Sequence, residues 1–325
     1  MVSREVALQE VAILLLDQFS VISFSCTVEP LREANWVLGK KAYNWRAYSG
    51  DGKPVLASNG LSVNVHGSID AVESCPILIV CSSFDPHLYA TKKVLSWLRK
   101  LARQGTVLGA VETGSWVLAR AGLLNGYRAT IHWENRASVA EVFPDVILTD
   151  NIYEIDRDRF TASGATAAMD MMLHFIKARH GVAVASSVAE QFIYNRIRAA
   201  QAPQRLSATQ KYGFRHPQLR RLTELLDSQL ERRINVNELA RTSGLSARQV
   251  HRLFKAHLGV SPQAYHRQLR LQRARDMLRQ TELSILEIAM TSGFGSSSDF
   301  SRAYRKAFHQ SPNEDRAPVY ALDRL

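Results

Sequence analysis

Gly109-Ala110-Val111-Glu112-Thr113-Gly114-Ser115-Trp116, GAVETGSW, ends an apolar run (TVLGAV) and begins an apolar-periodic one (WVLARAGLL). A β-type run, a glycine-containing turn and a helical pattern in succession describe a strand that turns sharply into a helix. Such an elbow is the usual mounting for a nucleophilic Ser or Cys. Here it carries Glu112. The spacing therefore predicts an α/β sheet with a carboxylate where a nucleophile would stand.

The flanking sequence extends the pattern. EVAILLL, ILIVCSS, TVLGAV and VILTDNIYEI read as strands; CTVEPLREANWVL, KKVLSWLRKLARQG and GSWVLARAGLL read as helices. That alternation builds an α/β domain with a doubly wound, mostly parallel sheet. Ser163-Gly164-Ala165-Thr166 is expected to open the helix AAMDMMLHFIKARHG, closed by Gly181. A capping box from Ser187 to Glu190 is expected to start another, through EQFIYNRIRAA to Pro203. QAPQRLSATQKYGFRHP is polar, has no apolar period and carries two prolines, as a linker does. The expected plan is an α/β domain over 1–200, a linker over 201–216, an all-α domain over 217–316 and a tail over 317–325.

Charge divides the chain in the same place. Gln201–Leu325 holds 21 Lys and Arg against 11 Asp and Glu, and the first 200 residues hold 20 against 19. Nearly all of the net +11 belongs to the C-terminal part, which implies a polyanionic partner there. No segment approaches the roughly 20 apolar residues of a membrane span, and MVSREVALQE does not open a signal peptide. A cytoplasmic protein with no membrane partner is expected. Cys26, Cys75 and Cys81 have neither CxxC nor metal-ligand spacing, so they are expected to be reduced thiols, with no metal or cofactor implied.

The C-terminal part contains a repeat. NVNELARTSGL (Asn235–Leu245) matches SILEIAMTSGF (Ser284–Phe294) at an offset of 49, pairing Leu239 with Ile288, Ala240 with Ala289 and Gly244 with Gly293. Beyond the turn the offset is 50, pairing Val250 with Phe300 and Phe254 with Tyr304. Each copy reads as a short helix, a glycine turn and a longer helix opened by a cap, Ser246 with Gln249 and Ser296 with Asp299. That is a tandem helix-turn-helix. In the first long helix Val250, Leu253, Phe254 and Leu258 form the core stripe. Arg248, Gln249, His251, Arg252 and Lys255, with Ser246 at the cap, form the face suited to bases and phosphates in a major groove. In the second, Ser297, Ser298, Asp299, Ser301, Arg302 and Lys306 face outward. Small hydroxyls and an acid make fewer strong base contacts, so this copy should position more than specify. The helix expected from Pro262 to Arg279 has 18 residues and spans ~27 Å, less than the ~34 Å of a DNA turn, so two readers on one face would require bent DNA.

Through SGLSARQVHRLFKAHLGVSPQAYHRQLRLQRARDML and IAMTSGFGSSSDFSRAYRKAFHQSP, Phe214 to about Arg316 closely resembles the AraC-type DNA-binding domain. Two positions depart from it: the family's FGxSP is here Phe308-His309-Gln310-Ser311-Pro312, and its usual Tyr-Arg ending is Asp315-Arg316. Both bear on packing behind the reading helix. Met1–Ala200 resembles the class I glutamine amidotransferase-like fold of the PfpI/GlxA type, through SFSCTVEPLREAN, ASNGLSV, the elbow, AGLLNGYRATIHWE and SGATAAMDMML. Enzymes of that family hold a cysteine where Glu112 stands. A glutamate cannot form and release a thioester in their manner, so the resemblance implies a catalytically inactive domain. Alignment on Pro30 puts Cys26 near the family's acidic partner.

The whole chain resembles the GlxA-type branch of AraC regulators. That implies a transcription regulator, by family habit an activator, with double-stranded promoter DNA and RNA polymerase as partners and a homodimer as the working form. Some members resembling it around VETGSW respond to amino-acid-like cations such as glycine betaine, carnitine or arginine, so the resemblance implies a small amine or betaine-like effector. Glu112 either rests on the N-terminus of its helix or serves as counter-ion to such a ligand at the carboxyl ends of the strands. Trp116, one turn on, either covers the cation or belongs to the core. Thr113, His132, Trp133, Glu29 and Cys26 complete the candidate effector site, and Phe24, Trp36, Tyr43 and Trp45 are candidates for an aromatic cage or for core. Two other functions fit the same residues: an amidase- or deglycase-type enzyme tethered to DNA, which needs a nucleophile, and a regulator whose N-terminal domain only dimerises.

Overall fold

The computed structural model describes residues 8–205, 216–281 and 283–316, so most of the expected linker and all of the expected tail lie outside the described residues. The chain divides into two compact units, Met1–Gln204 and Arg205–Leu325.

The first unit is built on a sheet of seven strands: β1 (Gln9–Leu15), β2 (Tyr43–Ser49), β3 (Gly67–Ser68), β4 (Ile77–Ser82), β5 (Val107–Glu112), β6 (Tyr153–Asp156) and β7 (Arg159–Ala162), in spatial order β6-β7-β5-β4-β1-β2-β3. All neighbours are parallel except the edge pair β6–β7. Alternation along the strands divides the core. Val11, Ile13 and Leu15 of β1 and Ile79 and Cys81 of β4 face one apolar cluster; Ala12, Leu14, Leu78 and Val80 face the other. The first cluster is covered by α1 (Val21–Leu38), α6 (Thr166–His180) and α7 (Val182–Gln191). The second lies beneath α3 (Lys92–Arg103), α4 (Gly114–Arg120) and α5 (Arg136–Val142), with the short α2 (Pro86–Tyr89) against α4.

Two expected elements differ. VILTDNIYEI is interrupted: Ile147–Leu148 pairs with Arg128–Ala129, and β6 starts only at Tyr153. The helix expected from Ser187 to Pro203 is not formed. Gly181, at φ +88°, ends α6 and α7 begins at once, so Ser187 and Glu190 lie inside a helix that stops at Gln191. Tertiary anchors then outweigh helix propensity. The fully buried Asp170 accepts from the Arg198 backbone N–H (2.7 Å), its guanidinium (2.8 Å) and the Tyr194 hydroxyl (3.0 Å), while the Ile152 N–H donates to the Ala200 carbonyl (2.8 Å). Residues 192–204 form a strap instead.

The second unit comprises α8 (Pro217–Asp227), α9 (Val236–Ser243), α10 (Ala247–Leu258), α11 (Pro262–Gln280), α12 (Ile285–Thr291), α13 (Ser297–Phe308) and α14 (Pro312–Arg316). Each helix-turn-helix has its own core. Leu239, Ala240, Val250 and Phe254 fill the first with α8; Ile288, Ala289, Phe300 and Tyr304 fill the second, at the positions the repeat equates. α11 serves both, Tyr265 and Leu269 packing on the first core and Leu271, Ala274, Met277 and Leu278 belonging to the second.

Candidate functional site

Glu112 closes β5 with φ +56°, a left-handed conformation that a residue with a side chain adopts only under constraint. The turn is tight: a Cβ on Gly114 would stand 2.2 Å from the Val80 carbonyl oxygen, so only glycine lets α4 start against β4. The Thr113 hydroxyl donates to the Ser83 carbonyl (2.6 Å) and braces the elbow. The Glu112 side chain lies on Gly164, where an added Cβ would meet its Cγ at 2.2 Å. Ala165, at φ +46°, donates its N–H to Ser23 Oγ (2.7 Å) and so ties α1 to the same place.

Burial pushes the Glu112 carboxyl up, hydrogen bonds from Ser83 and Ser23 pull it back and the charge of Glu134 raises it, leaving it at about 7. Its Oε2 is buried without a hydrogen-bond partner. His132, 3.8 Å from the Glu134 carboxylate, is pushed down by burial more than that charge pulls it up, which keeps the imidazole neutral at neutral pH. Trp133 is half-buried with its ring 5.5 Å from that of His132. Glu112 thus keeps a buried carboxyl oxygen without a hydrogen-bond partner and feels the charge of a second acid, Glu134.

The structure places other candidates elsewhere. The left-handed turn throws the Glu112 carboxyl toward α1 and α6, whereas α4 packs on the opposite sheet face. Trp116 is therefore core, edge-on to Phe143 at 5.7 Å. Cys26 is buried in the α1–α6 core; burial and then the charge of Asp170 raise its thiol to about 11. Glu29 is half-exposed and paired with Arg32 at 2.6 Å. The aromatics do not converge into a cage: Phe24 packs on Phe19 and Tyr43 on His180, Trp45 packs against the α1–α6 core, and Trp36 is 75% exposed. Ser23, Ser83 and Gly164 were not foreseen as site residues. Ser83 had a signal, lying just past the carboxyl end of β4, where open α/β sheets bind ligands. Another unforeseen link leaves the elbow: Ser115 Oγ donates to the Thr130 carbonyl (2.8 Å), and Gln204 Nε2 donates to Thr130 Oγ1 (3.0 Å), Ile131 O (3.1 Å) and Asn151 O (2.9 Å).

In the second unit, Gly244 at φ +67° ends α9 and a full capping box of Ser246 and Gln249 starts α10. Arg248, Gln249, His251, Arg252 and Lys255 are all exposed and, with Ser246, line a groove of about 600 Å³. Gln249 Oε1 accepts from the Ser246 N–H at 2.8 Å, so outward it offers only its Nε2 donor and not the two-point contact to adenine. Lys255 Nζ reaches the Gly259 carbonyl at 2.9 Å. On α13, Ser298, Asp299, Arg302 and Lys306 are exposed, Ser297 and Ser301 half-buried. Ser298 shares a hydrogen bond with the cap Ser296 (3.0 Å), and Asp299 lies 3.6 Å from Arg302.

Residues 239–317 match the family model described as a helix-turn-helix domain, and residues 9–178 match that of the DJ-1/PfpI family. The HTH-type transcriptional regulator GbdR of Pseudomonas aeruginosa is 43% identical over 95% of this chain and 84% of its own length. CdhR, an HTH-type transcriptional regulator of the same species, is 43% identical over 95% of this chain and 92% of its own. The crystal structure of an AraC family transcriptional regulator from Pseudomonas putida aligns with a TM-score of 0.51 and 32% identity, over 57% of this chain and 99% of that one. The chain belongs to the AraC/GlxA-type family of HTH transcriptional regulators. Its first unit is a DJ-1/PfpI domain and its second the DNA-binding unit of this regulator family. Among the described residues of the regulator, no helix is long and apolar enough to cross a membrane.

Proposed function

We propose that this regulator senses a small cationic or zwitterionic metabolite, an amine or betaine such as glycine betaine, carnitine or arginine, at Glu112, and that occupancy of that site adjusts promoter binding by α10 and α13. The observation that carries this is the buried Oε2 of Glu112, which has no hydrogen-bond partner on a left-handed, strained elbow. A cation there would stabilise the ionised carboxylate, so binding releases a proton near neutral pH and tightens as pH rises through about 7. The DJ-1/PfpI unit acts without thioester chemistry, since Glu112 stands at the elbow position and the Thr113 and Ser115 hydroxyls are spent on the Ser83 and Thr130 carbonyls. Homodimerisation, contact with RNA polymerase, activation and a cytoplasmic setting follow from the family resemblance. Ser115, Thr130 and Gln204 supply a physical link from the elbow to the last residue of the first unit.

The test is DNA affinity measured with and without each of the three named ligands. One of them should change the wild-type affinity, and Glu112→Gln should abolish that change while leaving unliganded DNA binding intact. A DNA affinity insensitive to all three, or a response that survives Glu112→Gln, rejects the proposal.

A further inference from the structure

The helical unit holds a second groove, of about 770 Å³, between the loop entering α9, the first half of α11 and the outward face of α13. Its cations are Arg233, Arg267, Arg270, Arg302 and Lys306, and Asp299 is the one acid among its lining residues. The Asp299 carboxylate lies 3.9 Å from Arg233 and 3.6 Å from Arg302, linking the entry of the first repeat to the reader of the second.

The floor of the groove is fixed by internal bonds. Buried Arg270 donates to the carbonyls of Ser292 and Gly293 and stacks 4.4 Å over the Phe294 ring. Buried His266 places Nε2 2.9 Å from the Gln229 carbonyl. Carbonyls satisfy the Arg270 guanidinium without neutralising it. Burial, then the charges of Arg233 and Arg267, push it down to about 10, still fully charged at neutral pH. Arg233, Arg267 and Lys306 are exposed above this floor. Positive charge crowded beyond its internal counter-charge is what a polyanion relieves, and it has no value for folding.

Arg302 and Lys306 belong to both this groove and the reading face of α13. A duplex seated on α13 therefore brings its backbone into the groove, whereas Arg233 and Arg267 stand outside both reading helices. We propose that the groove seats a sugar–phosphate strand of the bound duplex. Arg233 and Arg267 are its phosphate ligands, and Asp299 is a counter-charge that the phosphates displace from Arg233 and Arg302. This rests on α13 entering DNA.

The test is a salt titration of the full chain on duplexes of unrelated sequence. Arg233→Gln and Arg267→Gln should each lower the slope of log affinity against log salt by about 0.9, the value for one phosphate contact, and weaken every duplex by the same factor. Both should melt like the wild type, because the altered side chains are exposed. Asp299→Asn should act in the opposite sense, raising affinity on all duplexes. Unchanged slopes in both arginine variants, a loss confined to one sequence, or weaker binding by Asp299→Asn would overturn the assignment. Lys306→Gln separates the two premises. If it leaves the slope unchanged as well, α13 is not on DNA; if it alone lowers the slope, only the groove assignment fails. A melting rise in millimolar inorganic phosphate, lost in Arg267→Gln with the DNA slope unchanged, would mark a free-anion site and also overturn it.

Discussion

At Glu112 the fold keeps the strained geometry of a nucleophile and changes the chemistry. The carboxyl is raised from 4.5 to about 7, first by burial, so the folded chain binds this proton more tightly than the unfolded one. Its contribution to stability is present below about pH 4.5 and is lost as pH rises through about 7. Glu112→Gln should therefore melt near the wild type at about pH 5 and above it at about pH 8, by at most about 3 kcal/mol. A variant less stable than wild type at the higher pH contradicts the burial argument. The elbow was legible because an apolar run followed by Thr-Gly admits few alternatives. Ser23 and Gly164 were not legible, since only the packing of α1 against α6 brings them to the carboxyl. Trp116 was misleading for a related reason: helical spacing puts it one turn from Glu112, but the left-handed φ sends the two side chains to opposite faces of the sheet.

At the level of elements, the repeat was the most readable feature, because Val250, Phe254, Phe300 and Tyr304 must all be buried for either copy to fold. The strap 192–204 was unreadable, as its anchor on Asp170 is tertiary. The two departures from the AraC pattern now have physical roles. His309 occupies the left-handed C-cap of α13 at φ +61°, where the first copy has Gly259 at +71°. His309→Gly should raise the stability of the helical unit by up to about 1 kcal/mol, read by chemical denaturation; a decrease would show that the imidazole is needed. Asp315 is buried and accepts from Tyr304 (2.5 Å), Arg275 (2.7 Å) and Arg279 (2.6 Å). Burial would raise its carboxyl, but these bonds hold it at about 2. Its stabilisation is thus present above about pH 4 and lost as pH falls through about 2. Asp315→Asn should cost about 1–3 kcal/mol at neutral pH, and an unchanged denaturation midpoint would refute the hub.

Across the whole molecule, the charge asymmetry already separated a near-neutral N-terminal part from a basic DNA-binding part, because net charge follows partner chemistry and not fold. With α10 as the proposed base reader, Arg252→Ala should cost about 1–3 kcal/mol of DNA affinity and relax one base position. A uniform loss on every sequence would make Arg252 a phosphate contact instead. In the proposed role, an elbow that carries Glu112 in place of a nucleophile serves as counter-ion for a metabolite. The most direct test is a thermal-shift screen of the full chain against glycine betaine, carnitine, arginine and related amines, repeated on Glu112→Gln. At about 100 times Kd a ligand adds ~2.7 kcal/mol, which is readily seen. A cation is expected to raise the wild-type melting temperature, more strongly above pH 7 than below it, and to leave Glu112→Gln unmoved. A panel that shifts neither protein, or shifts both equally, would contradict it.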